Sequence, residues 1–130
     1  MSDFSTAMHV LSSGMRSQGR RLVHISENIS NADTPGYRRK TVDFREMVEG
    51  GRRTGAVEVG PVRLDRADLP RIHDPDHPMA DEAGYYDGSN VSLIVELADA
   101  REAQRSYEAS LKMFEQVRRM SSNLMDVLRR

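Results

Sequence analysis

Two imidazoles and two carboxylates fall within five residues at His73-Asp74-Pro75-Asp76-His77. Those donors suit Zn²⁺ or Ni²⁺. Prolines cut the segment, the spacing matches no closed site and no distant His offers an obvious fourth ligand. A turn with solvated charges is therefore expected, and no metal. The densest basic stretch is Arg38-Arg39-Lys40, with Arg45, Arg52 and Arg53 nearby. Asp43, Glu46 and Glu49 interrupt it and no aromatic ladder follows for base stacking, so it reads as a surface for acidic protein neighbours rather than nucleic acid. Ser, His and Asp are present without a nucleophile elbow. There is no phosphate loop, no dinucleotide fingerprint and no Cys to supply a thiolate. No catalytic residue, no enzyme activity and no cofactor are expected. Asn28-Ile29-Ser30 and Asn90-Val91-Ser92 fit the glycosylation pattern, but one lies inside a helical pattern and the other at a helix start, so both are read as chance.

Composition narrows the classes further. A chain of 130 residues fits one domain. Nineteen Lys plus Arg against 20 Asp plus Glu leave a net charge of −1, which argues against a dedicated nucleic-acid binder. No apolar run approaches the roughly 20 residues of a membrane span. The opening MSDFSTAMHV lacks the basic and apolar regions of a secretory signal, so general secretion is not expected. Aromatics are 5% of residues and Trp is absent, too little for a bulky core around a cleft. Only Lys40 and Lys112 are Lys among the cations. Such an Arg excess suits charges shared across interfaces, and biased nucleotide composition gives the same count.

Three elements must carry whatever the chain does. Phe4, Met8, Leu11, Met15, Gln18, Leu22, Ile25, Ile29 and Ala32 alternate by 4 and 3, a coiled-coil seam with one polar member. Gly14 and Gly19 weaken that helix by about 1 kcal/mol each, so it needs a partner surface. Asp3 or Ser2 can cap its start, and Asn31-Ala32-Asp33-Thr34-Pro35-Gly36 stops it. A second helix begins at a cap at Asn90 or Ser92. Its seam runs Leu93, Leu97, Ala100, Gln104, Tyr107, Leu111 and Phe114, then shortens by one step into Val117, Ser121, Leu124 and Leu128. At 1.5 Å per residue the helices are roughly 43 and 55 Å long. Gln18 and Gln104 are expected either to mark a common layer fixing register or to be tolerated near solvent. Methionines such as Met8, Met15, Met113, Met120 and Met125 lie on or beside the seams, as core filler or as adaptable interface residues.

Between the helices, five prolines and many glycines leave only short alternating runs: Thr41–Phe44, Ala56–Val59 and Val62–Leu64. Small edge strands or a hairpin are expected, with turns at Gly50-Gly51 and Gly60-Pro61. The predicted fold is mainly α. Residues 1–36 plus 90–130 form a coiled-coil-like helical bundle, and residues 37–89 form a small β-containing insertion on its outer face.

The first helix and its stop, Ser26-Glu27-Asn28-Ile29-Ser30-Asn31-Ala32-Asp33-Thr34-Pro35-Gly36-Tyr37, resemble the N-terminal signature of bacterial flagellar rod and hook proteins, with Ser30 in place of a small Ala. His77-Pro78-Met79-Ala80-Asp81-Glu82-Ala83-Gly84-Tyr85 is similar to the middle motif of the short proximal-rod members of that family. Ser89-Asn90-Val91-Ser92, Glu96, Ala103 and Arg105-Ser106-Tyr107-Glu108-Ala109-Ser110 resemble their C-terminal signature. Here Ser92 stands where Asp is common, Leu97 where Met is common and Ser110 where Asn is common. Residues 50–74 align with nothing in it.

The resemblance implies a structural subunit of the proximal rod, the drive shaft crossing the periplasm, exported without a cleaved signal by the flagellar type III apparatus. Implied partners are other proximal-rod proteins, the adaptor at the membrane ring, the distal rod protein and further copies of itself. It marks Asn28, Asn31, Thr34, Gly36 and Tyr37 as the motif turn. Physically, long amphipathic helices meeting head to tail in contacts that do not close give a helical tube. The chain ends are then expected to order only on assembly. A dimeric cytoplasmic coiled-coil regulator, or a metal module using His73 and His77, are the competing readings.

Overall fold

Seam spacing and turn chemistry produce the elements observed in the computed structural model, which describes residues 3–130. Helix α1 spans Asp3–Ser30 and helix α2 spans Leu93–Leu128, so half of the described chain is helical and the fold is mainly α. Asp3 lies in the first turn of α1, where a carboxylate favours the helix dipole, and the Ser2 cap lies outside the described residues. Between the helices run β1 (Lys40–Thr41), β2 (Phe44–Glu49), β3 (Arg52–Val59), β4 (Arg63–Leu64), β5 (Arg71–His73) and β6 (Tyr85–Asp87). They pair antiparallel as β1 with β4, β2 with β3, and β5 with β6.

The β2–β3 hairpin turns at Gly50 and Gly51, whose φ of +57° and +78° are the pair a tight two-residue turn requires. Gly60-Pro61 closes the next connection, with Gly60 N–H donating to Asp43 O at 2.8 Å. The β5–β6 pair was not expected. Its three-residue strands have no room for an alternating pattern, and prolines and turns separate them.

The two helices lie antiparallel. Asn28 of α1 meets Glu96 of α2, Arg21 reaches Asp99 and Glu102, and Gly14 sits opposite Ser110. The stripe of α2 that is buried or half-buried is Glu96, Asp99, Ala100, Ala103, Ser106, Ser110, Phe114, Val117 and Ser121. Within one subunit the α2 seam is therefore not what meets α1. Leu93, Leu97, Gln104, Tyr107 and Leu111 are exposed, and the helices approach through small and polar residues instead. Small side chains let helix axes come close, whereas hydropathy counting favours large residues. Of the two glutamines, Gln104 is exposed, and Gln18 Oε1 is buried with no hydrogen-bond partner among the described residues.

Helix α1 is covered on a second side by the hairpin. Ser13 Oγ donates to Val10 O at 2.6 Å and accepts from Val57 N–H at 3.0 Å, while Ser17 Oγ donates to Val57 O at 3.5 Å. The two serines thus satisfy the backbone of Val57 on the edge of β3 that β2 does not cover. The fully buried apolar core is small: Ile25, Ala56 and Ala103. The accessible surface is 9450 Å², whereas a compact monomer of this mass exposes about 6,900 Å². The surplus of about 2,500 Å² is the size of an obligate subunit interface.

Candidate functional site

Where α1 ends and α2 begins, the chain ties itself together through polar groups. Asn28 is wholly buried, and each of its amide atoms is used. Its Nδ2 donates to Lys40 O at 2.9 Å and to Glu96 Oε2 at 3.3 Å, and its Oδ1 accepts from Tyr37 Oη and from Lys40 N–H, both at 2.9 Å. Glu96, equally buried in the first turn of α2, also accepts from Arg39 Nε, and Arg39 Nη2 reaches Asp99 at 2.8 Å. Because a buried charge is tolerable only when paired and hydrogen-bonded, the two elements must meet in this register.

The turn after α1 supplies the rest. Asn31 caps the helix end, its Nδ2 donating to Glu27 O at 2.8 Å and its Oδ1 accepting from Thr34 Oγ1 at 3.0 Å. Pro35 holds Thr34 extended, and Gly36 turns with φ +73°, its N–H reaching Asp87 O at 3.1 Å. Asn90 is not the α2 cap. That position is taken by Ser92, whose side chain makes no capping bond. Asn90 instead accepts from Arg39 N–H at 2.6 Å and donates to Asp65 O at 3.0 Å, stitching the insertion to the helices. Arg38 doubles that stitch by donating to Asp65 O and Ala67 O, both at 3.0 Å.

The charges in the knot stabilise one another. The hydrogen bond from Lys40 Nζ, at 2.6 Å, holds the Glu27 carboxyl below its ordinary range, and the same bond raises Lys40. Burial opposes charge on Arg39, but the hydrogen bond and charge of Glu96, joined by Asp99, outweigh it and raise the guanidinium. Burial also pushes the Tyr37 phenol up, so it stays a neutral donor to Asn28. Nothing here is poised as an acid, base or nucleophile.

The second feature is the outward face of α2. Leu97 is 57% exposed and Ile94 82%, and Leu93, Val95, Tyr107, Leu111, Met113, Met120, Leu124 and Leu128 are exposed along the same helix. On α1 the expected seam residues Met8, Leu11, Met15, Gln18, Leu22 and Ile29 are half-buried and Ile25 is buried, while on α2 only Ala100, Phe114, Val117 and Ser121 turn inward. Leu93, Leu97, Tyr107 and Leu111 line one flank of the helix and Val95, Met113 and Met120 the other, and exposed apolar surface of this extent marks an interaction site. Among the described residues no helix is long and apolar enough to cross a membrane.

His73 and His77 face tyrosines. The His73 ring lies edge-on to Tyr85 at 4.7 Å, and His77 stacks on Tyr86 at 3.9 Å. Among the described residues no three His, Cys, Asp or Glu side chains group as metal ligands. Sequence reasoning singled out neither Ser13, Ser17 nor Asp99, and it gave Arg39 and Asn90 other roles, a surface cation and a helix cap. The partners of Ser17, Arg39 and Asp99 lie 40 or more residues away and Asn90 reaches Asp65 across 25, so no local period reveals them.

Residues 1–38 match the family model described as flagella basal body rod protein, and residues 82–127 match the model of the flagellar basal body rod FlgEFG protein C-terminal region. The unmatched interval is the insertion. A flagellar basal-body rod protein FlgC from Agrobacterium fabrum is 39% identical over 99% of this chain and 98% of its own length. The protein of that name from Salmonella typhimurium is 31% identical over 85% of this chain and 87% of its own length. One from Borreliella burgdorferi is 27% identical over 95% of this chain and 96% of its own length.

Proposed function

The chain belongs to the FlgC family of flagellar basal-body rod proteins, and from that premise we propose that it polymerises through its terminal helices into the proximal rod, the shaft that carries torque. Its family is one of structural proteins, not enzymes, and it acts at the flagellar basal body as a rod component. The observation that carries the finer reading is the unpartnered apolar face of α2. Leu93, Leu97, Tyr107 and Leu111, with their half-buried counterparts Met8, Leu11, Met15, Leu22 and Ile29 on α1, are the surfaces through which neighbouring subunits bundle in coiled-coil fashion.

Near-axial helices about 42 and 54 Å long share a torsional load over many parallel contacts. In this reading the polar knot fixes the angle at which the insertion leaves the helices, and the insertion lies on the outer face of the rod. The neighbours are other proximal-rod proteins, the membrane-ring adaptor and the distal rod protein. The subunit reaches the periplasm through the type III export apparatus without a cleaved signal.

Complementation tests it. In a strain lacking its own copy of this subunit, Tyr107→Ala should abolish swimming while the purified variant keeps wild-type helicity, because Tyr107 is exposed and its loss costs the fold little. Normal swimming with Tyr107→Ala and Leu97→Ser combined would overturn the assembly role of this face.

A further inference from the structure

Helix α1 has a third flank, beyond those that meet α2 and the hairpin, and a groove runs along it. Arg16, Arg20 and Val23 lie on that flank, beside the line of Ser13 and Ser17 that faces β3. Next to Val23, a cavity of about 410 Å³ opens between α1 and the segment Val59–Val62. Next to Arg16, a second of about 180 Å³ continues between α1 and the hairpin at Met47 and Val57. Arg20 and Val59 line both, so the two form one groove. From Ser13 to His24 it follows α1 for about 16 Å.

The floor of the groove is apolar. Val23 is 57% exposed and Val62 46%, with Val59 and Pro61 beside them. The rim is cationic. Arg16 and Arg20 are exposed on α1, and Arg45 Nε lies 3.1 Å from where a Cβ on Gly60 would sit. None of the three makes an ion pair among the described residues, and Glu58 is the one carboxylate lining the groove there. An apolar floor between unpaired guanidinium groups suits a helix whose apolar stripe is flanked by carboxylates.

The chain's own helices do not supply that occupant. Helix α1 sets Asp3 and Glu27 against Arg16, Arg20 and Arg21. Residues 93–130 hold seven Lys and Arg. Their Glu96, Asp99 and Glu102 are engaged by Arg21 and Arg39, which leaves only Glu108, Glu115 and Asp126 to balance them. The outward face of α2 is therefore cationic and repels the rim. The carboxylates Asp74, Asp76 and Glu82 of the β5–β6 lobe sit in its connections rather than along a helical stripe.

We propose that this groove seats an acidic amphipathic helix of a neighbouring rod protein that is not a copy of this chain. The inference rests on the rod-subunit reading and adds a receiving surface and the chemistry of what fills it. No residue of α2 lines the groove, so the outward face of α2 stays free for a different neighbour.

The chain has no Cys, so the nearly isosteric Val23→Cys and Val62→Cys each place a single thiol in the groove. A maleimide should label either thiol at least about tenfold more slowly in purified basal bodies than in the purified chain, because the occupant covers it. With p-benzoylphenylalanine in place of Val62, irradiated basal bodies should yield an adduct to another rod protein, on a helical stretch richer in Asp and Glu than in Lys and Arg. Arg16→Gln with Arg20→Gln should either free the Val62→Cys thiol or keep the chain out of basal bodies with its helicity unchanged, since both arginines are exposed. Equal labelling in the two states, no adduct, or an adduct to a second copy of this chain, to a cationic segment or to lipid overturns the proposal. So does indifference to the loss of the two arginines. Any of these results with the chain present in basal bodies leaves the rod reading standing, whereas absence of the wild-type chain from basal bodies removes both.

Discussion

Glu96 and Asn28 are the two largest side chains taken wholly out of water, and both are polar. Removing one partner of a buried hydrogen-bonded set costs more than the set contributes, because the other partners are stranded. Glu96→Ala should therefore destabilise the chain by about 3 kcal/mol in urea titration, leaving Arg39 only Asp99 and Asn28 Nδ2 only Lys40 O. Asn31→Ala, which frees the last carbonyls of α1, should cost about 1 kcal/mol. The Glu27–Lys40 bond sets a pH dependence. Glu27 releases its proton more readily in the folded chain, so the pair's stabilisation is complete above the ordinary carboxylate pKa and is lost as pH falls below it. The thermal midpoint should drop from about pH 5 downward, and Lys40→Met should flatten that drop. Asn28, Asn31, Thr34, Gly36 and Tyr37 were legible as a motif before the fold was seen. The role of Asn28 as hub was not, because its partners Lys40 and Glu96 lie 12 and 68 residues away.

At the scale of elements, both helices were legible from their 4-and-3 spacing, with ends displaced by one to three residues. The face that α2 presents to α1 was not. Hydropathy points to Leu93, Leu97, Tyr107 and Leu111, and the helix buries Ala103, Ser106 and Ser110 instead. The most apolar stripe of a helix need not be the one its own subunit covers when assembly supplies another partner. Helix α1 is similarly weakened by its glycines. A Cβ on Gly19 would meet nothing within 4 Å, and one on Gly14 would make ordinary contact with Ser110 Oγ at 3.8 Å. Gly19→Ala should raise stability by about 1 kcal/mol, read as a higher urea midpoint with unchanged slope. The hairpin was legible through Gly50-Gly51, while β5 and β6 escaped because three-residue strands paired across a long connection leave no pattern along the chain.

For the whole molecule, the surplus surface and the small apolar core among the described residues support the proposed reading of a subunit that neighbours complete. Composition is in keeping with that reading: aromatics are 5% of residues and Trp is absent, too little for a bulky core. The polar knot holds one end of the helix pair in register, and stability should fall along α2 away from it. Hydrogen exchange on the purified chain across a dilution series tests this most directly. The account predicts that amides of residues 40–60 and those near Asn28 and Glu96 stay protected at every concentration. Amides of residues 111–128 should exchange quickly when dilute and slow as the chain is concentrated. Concentration-independent protection along the whole of α2 would contradict the account and describe a domain that needs no neighbours.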